Sequence, residues 1–193
     1  MRVGTGLWAF DKGAGMIEIN LLDTLVSELR ELFNDYELPS KSGLLQNVRV
    51  FAQYMPQPSA IEANSDNEEN TIPFGYSETD IEANFPCIVV KLDDKTIKEE
   101  NTMDAVRINV RFLIGTYDDS PDCQGYRDVL NIIERTKQYL LGIPSRILQA
   151  RYQLKMPMIS YLFDEQAWPV YFGQIETVWE TGRPLMGYSP DYE

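Results

Sequence analysis

The stretch "AVRINVRFLIGTYDDSPDCQGYRDVLNIIERTKQYLLGIP", residues 105–144, changes its hydrophobic period once, and that change decides the fold. Up to Thr116 the period is two: Val106, Ile108, Val110, Phe112 and Ile114 fall on one face and Arg107, Asn109 and Arg111 on the other. This is a strand with one face in a core and the other toward solvent or a partner. From residue 125 the period becomes helical, with Tyr126, Val129, Leu130, Ile133, Lys137, Leu140 and Leu141 on one side and Gly142 and Pro144 as the stop. Between them lies an acidic elbow, "DDSPDCQG". As a calcium loop it lacks the alternating oxygen ligands and the closing bidentate Glu. Helix-start chemistry accounts for it instead: Asp119 or Ser120 as N-cap, Pro121 in the first turn and Asp122 on the helix dipole, with the cap worth about 1 kcal/mol.

Upstream, residues 17–36 place Leu21, Leu22, Leu25, Leu29, Leu32 and Phe33 at helical spacing, with Asn20 or Asp23 as candidate N-terminal residues. "LLQNVRVFAQYMP", residues 44–56, reads as a single strand with Val48, Val50 and Ala52 opposed to Asn47, Arg49 and Phe51. Residues 58–84 carry seven acids and no Lys or Arg and are expected to form a mobile acidic loop. The run "FPCIVVKL", residues 85–92, is a buried strand, and "DDKTIKEEN" is the polar turn after it. Downstream, Tyr152, Leu154 and Met156 alternate with Arg151, Gln153 and Lys155, and a last strand puts Ile175, Thr177 and Trp179 on one face. The expectation is an α+β domain over residues 16–184: a mainly antiparallel sheet of about five strands with two principal helices on one face. Residues 1–15 read as a flexible extension or leader, with Met16 as a candidate start, and 185–193 as a C-terminal tail.

Composition narrows the function. The chain has no histidine, which removes the usual general base, zinc ligand and triad partner. Cys87 and Cys123 form no metal-binding or redox pair and are expected as reduced thiols. The acid pairs Glu68–Glu69 and Glu99–Glu100 sit in polar turns, where the burial that would split a catalytic dyad is missing. No catalytic, cofactor or metal residues are therefore assigned. A carboxylate-dependent or metal-dependent enzyme stays as a minor alternative. Seventeen basic against thirty acidic residues give a net charge of −13, which disfavours specific nucleic-acid binding. No apolar run reaches a membrane span and no secretory signal is apparent, so a cytosolic protein without membrane contact is expected.

The aromatics Tyr161, Phe163, Trp168, Tyr171, Phe172 and Trp179 exceed what one small sheet needs for its core, and aromatic enrichment marks interfaces. Arg107 and Arg111 on one strand face are placed to meet carboxylates such as Glu176 and Glu180, either across strands within the chain or between subunits. Arg107, Arg111, Glu176, Glu180, Trp168 and Tyr171 are thus the subunit-interface candidates.

The segments "FPCIVVKLDD", "INVRFLIGTYDDSPDCQGYRDVLNIIERTKQYLL" and "YQLKMP…EQAWPVYFGQIETVWE" together resemble the tail terminator (tail completion) proteins of long-tailed bacteriophages, over about residues 85–180. The resemblance implies a subunit of a phage or prophage virion that forms a ring, usually a hexamer, on the head-proximal end of the tail tube. It would bind the tube protein on one side and a head-completion protein on the other, assembling in the bacterial host cytoplasm and remaining in the virion tail. DNA would pass through the lumen without specific binding. A head–tail adaptor or head completion protein is the alternative within the same class.

Overall fold

In the computed structural model, residues 17–56, 84–93 and 105–182 are described. The expected leader 1–15, the tail 185–193 and the acidic loop 58–84, apart from Asn84, lie outside them, as does all of the polar turn after Asp93. The described residues form two helices, a six-stranded sheet and a separate two-stranded one. In chain order these are α1 (Ile17–Leu32), β1 (Glu37–Pro39), β2 (Leu45–Asn47), β3 (Arg49–Ala52), β4 (Cys87–Leu92), β5 (Ala105–Tyr117), α2 (Gly125–Gly142), β6 (Ile147–Leu148), β7 (Tyr152–Leu162) and β8 (Val170–Gly182). The large sheet has the order β3-β4-β5-β8-β7-β6 and is antiparallel except for the parallel pair β3–β4.

The expectation of about five strands is corrected to six. One added strand, β6, is a two-residue piece with no periodicity to read. The expected strand over residues 44–56 breaks at Val48, whose N–H leaves the sheet line to donate to Tyr36 O at 3.1 Å. Residues before the break pair with β1 in the small hairpin, and those after it join the large sheet. Val48 and Val50 are buried as expected, but Ala52 is exposed and Phe51 packs into a second cluster rather than facing solvent. Past β3 the chain bends at Gln53 (φ 60°), and Met55 Sδ comes within 3.8 Å of Cys87 Sγ.

The helices share one face of the sheet, because their apolar stripes and the even-numbered face of β5 are complementary. Leu21, Leu25 and Leu29 from α1, Phe33 just past its end, and Val129, Ile132, Ile133 and Leu140 from α2 close over Ile88, Val90, Ile108, Val110, Phe112, Ile175 and Trp179. Leu130 and Leu141, expected on the buried side of α2, are exposed; Ile132 and Thr136 take their places. Helix α1 is already helical at Ile17, so Asn20 and Asp23 lie inside it rather than at its cap, and Thr24 Oγ1 donates back to Asn20 O at 2.7 Å. The two helices are tied by Arg135, which donates to Leu32 O at 3.1 Å and lies over the Phe33 and Tyr36 rings, and by Tyr139 OH donating to Glu28. Burial first, then the Glu28 carboxylate as acceptor, pushes the Tyr139 phenol upward.

The outer edges of the sheet differ. Arg30 donates both Nε (3.1 Å) and Nη2 (3.0 Å) to Val50 O, a carbonyl that points away from β4 because β3 bonds to β4 through Arg49 and Gln53. At the other side β6 covers only Tyr152 and Gln153 of β7. Met156, expected on the core face with Tyr152 and Leu154, is exposed at the point where β7 slips register between Lys155 and Ile159. The slip is by two residues, so Met158 and Leu162 beyond it stay on the helix side with Leu154.

Candidate interaction surface

The sheet face away from the helices is divided. Toward one end it carries charge: Arg107 meets Glu180 across β5–β8 at 3.4 Å, and Lys155 on β7 reaches the other oxygen of Glu180 at 2.7 Å. Lys155 foremost, with Arg107 behind it, holds the Glu180 carboxyl below its ordinary range against a smaller opposing effect of burial. Arg111 sits opposite Glu176 in register but its Nη2 binds Asp93 Oδ1 at 3.4 Å, and its buried Nε has no partner among the described residues. Glu176 instead accepts from Gln174 Nε2 (2.7 Å) and Tyr161 OH (3.2 Å). Arg107 and Glu180 are therefore an intrachain cross-strand pair, while Arg111 and Glu176 each take a different partner. The exposed pair is worth a few tenths of a kcal/mol at most.

Toward the other end the same face is apolar. Phe85, Cys87, Val89, Tyr117 and Val170 form a second buried cluster, joined by Phe51, Met55, Leu113 and Phe172. An aromatic row continues from it toward β7: Phe85 to Phe172 (5.7 Å between centroids), Phe172 to Phe163 (6.4 Å) and Phe163 to Tyr161 (5.9 Å). Gly115 makes the row possible, since a Cβ there would lie 2.3 Å from Phe85 Cε1. The row ends in water at Tyr161; Ile159, two residues earlier on the same strand face, is also exposed, as is Trp168 at the tip of the β7–β8 hairpin. Gln166 fixes that hairpin by bonding the Phe163 and Phe172 backbone. Cys87 is enclosed by this cluster; burial, partly offset by Arg49 and a Gly115 hydrogen bond, pushes its thiol up to about 12, so it is an inert apolar group. Tyr171 points to the helix side and is buried under the start of α2.

The elbow contains a cap, on a residue other than the expected ones. Helix α2 begins at Gly125, and neither Asp119 nor Ser120 stands at its N-cap position, which is Gln124 without a side-chain cap bond. Asp118 takes that role. Its carboxylate accepts from Ser120 N at 2.9 Å; burial alone would raise its pKa, but the Ser120 hydroxyl foremost, with the Ser120, Gln124 and Gly125 amides, holds it below the usual aspartate range. Nearby Asp128 is raised, by burial first and by the Asp118 charge second. Asp118 stabilises the fold at pH values above its unfolded pKa, and that contribution is lost as pH falls through the lower folded value. Asp118→Ala should cost about 1 kcal/mol at neutral pH, with the deficit closing in acid, as read by urea unfolding across pH. Asp118→Asn should also lower the Asp128 pKa, measurable by carboxyl NMR; an unmoved Asp128 contradicts the coupling.

Among the described residues, no three or more acid or cysteine side chains are grouped to hold a metal ion. Three open grooves, at Gln138–Gln149, at Arg30–Phe51 and at Ser40–Arg49, are not lined by any carboxylate. No helix among the described residues is long and apolar enough to cross a membrane. Searches against protein-family models and curated proteins found no match to the sequence.

Of the six interface candidates, the far face brings together Arg107, Arg111, Glu176 and Glu180, Trp168 stands at the hairpin tip and Tyr171 is inside. Phe85 and Gly115 as the base of the aromatic row were missed. Their signal was Phe85 and Cys87 flanking Pro86 at the start of a buried apolar run, and the single glycine inside the long strand β5.

Proposed function

We propose that this chain is a non-enzymatic structural subunit of a phage or prophage tail, a tail terminator that assembles with copies of itself into a ring, most simply a hexamer, at the head-proximal end of the tail tube. The observation that carries this reading is the aromatic row that leaves the second cluster and ends in water at Tyr161, with Ile159 and Trp168 also exposed on the same hairpin. A monomer gains nothing from three large exposed apolar groups at one end of a hairpin, and such surfaces mark association. The resemblance of residues 85–180 to terminator proteins supplies the assembly. Tube subunits add by head-to-tail stacking that does not close, so length is set only when a ring matches the tube on one side and offers no template on the other. The acidic composition suits a lumen through which DNA passes without adhesion.

Electron microscopy of phage particles lacking this protein tests the reading. Overlong tubes are the expected result. Finished tails of normal length beside unjoined heads would assign the chain to head–tail joining instead.

A further inference from the structure

The second hairpin of the fold, β1–β2, presents the opposite kind of feature to the aromatic row. Its tip exposes Leu44 and Leu45, 68% and 63% accessible, the most exposed leucines in the described chain. The tip is held firmly. Ser40 N donates to Leu44 O (3.2 Å), Ser40 Oγ to the same oxygen (2.7 Å), Gly43 N to Ser40 O (2.9 Å), and Gly43 adopts the left-handed φ of 74° that the turn requires. Two leucines fixed in water on a rigid turn are a preformed apolar knob, and a knob already ordered loses little freedom on binding. The receiving residues lie on the β7–β8 hairpin where the aromatic row ends and are likewise exposed: Ile159, Tyr161 and Trp168 are 50%, 42% and 60% accessible.

The signs of charge around the two features are opposite. The tip of the hairpin, residues 40–45, carries Lys41 and no acid; the hairpin's one acid, Glu37, lies at its base opposite Asn47. Residues 161–171 include Asp164 and Glu165 and no base, and the elbow acids are anchored beside them by Asp118 N donating to Pro169 O at 2.9 Å. In a chain of net charge −13, copies repel unless a contact is locally complementary.

We propose that the Leu44–Leu45 tip of one copy seats against Ile159, Tyr161 and Trp168 of the next copy, with Lys41 of the tip facing the acidic rim of the other. This rests on the ring reading and names its repeating contact. Because knob and seat are different surfaces of the same chain, the contact is heterologous, and its repetition closes a ring when the rotation between copies divides a full turn.

Two double variants test it, both at accessible positions: Leu44→Glu with Leu45→Glu, and Tyr161→Glu with Trp168→Glu. Sedimentation velocity on the full chain, with circular dichroism to verify folding, is expected to show rings for the unsubstituted protein and monomers for each variant alone. A 1:1 mixture of the variants retains one intact knob and one intact seat, so it should give dimers and nothing larger. Either variant alone forming rings, or a mixture that stays monomeric where the unsubstituted chain is assembled, overturns this contact and leaves the ring reading standing. An unsubstituted chain that remains monomeric throughout overturns both.

Discussion

Trp179→Ala is expected to lower the stability of the fold by about 3–5 kcal/mol, the range for emptying a large aromatic site in a core. Trp179 is fully buried in the middle of the helix face, with Ile108 opposite it on β5 and Leu154 opposite it on β7. It therefore fills the space that three strands and the helices converge on, and no single neighbour can move in to close the cavity. Its indole Nε1 also donates to Thr177 Oγ1 at 3.0 Å, and that hydroxyl in turn donates to Val110 O at 3.1 Å. Small domains are stable by about 5–15 kcal/mol, so the loss is a large part of the whole. Trp179→Phe keeps most of the volume and removes the hydrogen bond, and should cost less than half as much. Urea unfolding followed by circular dichroism compares the two; a loss under about 1 kcal/mol for the alanine variant contradicts the packing described.

Gly173→Val should cost about 1–3 kcal/mol through the opposite fault, too much volume. A Cβ at Gly173 would sit 2.6 Å from Val129 Cγ1, 3.1 Å from Ile133 Cδ1 and 3.2 Å from the Tyr161 carbonyl oxygen. The glycine is what lets α2 lie directly on β8, and the side chains in the way belong to a helix that cannot withdraw without giving up Ile132 and Leu140 as well. Val129→Ala in the same chain removes the nearest atom, so the double variant should recover part of the loss, a coupling read from a double-mutant cycle. Gly142→Ala is the control: nothing lies within 4 Å of a Cβ there, and the change should be neutral or slightly stabilising.

Strand β5, helix α2 and the shared face of Ile175, Thr177 and Trp179 were legible in the sequence because each carries a long unbroken period. What failed did so where the period was short or where the partner was not local. Val48 looks like one more alternating residue in a strand; only its bond to Tyr36, set by the preceding hairpin, makes it a break. Met156 has the correct parity for burial, but it falls in the irregular stretch between Lys155 and Ile159 where the regular pairing with β8 is interrupted. The elbow does lead into a helix, but Pro121 and Asp122, expected in its first turn, lie in the turn before it, and the cap falls to Asp118, because that turn delays the helix to Gly125 and brings the earlier aspartate over its amides. Arg107 found Glu180 by strand register, as alternation suggested, whereas Arg111 turned to Asp93, a residue that alternation along its own strand could not single out. Leu44 and Leu45 appeared as ordinary apolar residues at the start of a strand, since sequence pattern says which residues are apolar and not which of them the turn leaves in water.

The Arg30 side chain on the Val50 carbonyl has a bearing on solubility. A sheet with two free edges can be extended indefinitely by copies of itself, which is how aggregates with continuous hydrogen bonding grow. Here one edge has a charged guanidinium in the place where a neighbouring strand would bond, so pairing of copies by backbone is confined to the β7 side. Copies joined there would meet through like edges, and such a pair leaves no further edge to extend. Among the described residues, Arg30 alone occupies the bonding position on the β3 edge, so sheet extension through that edge would have to displace a charged side chain first.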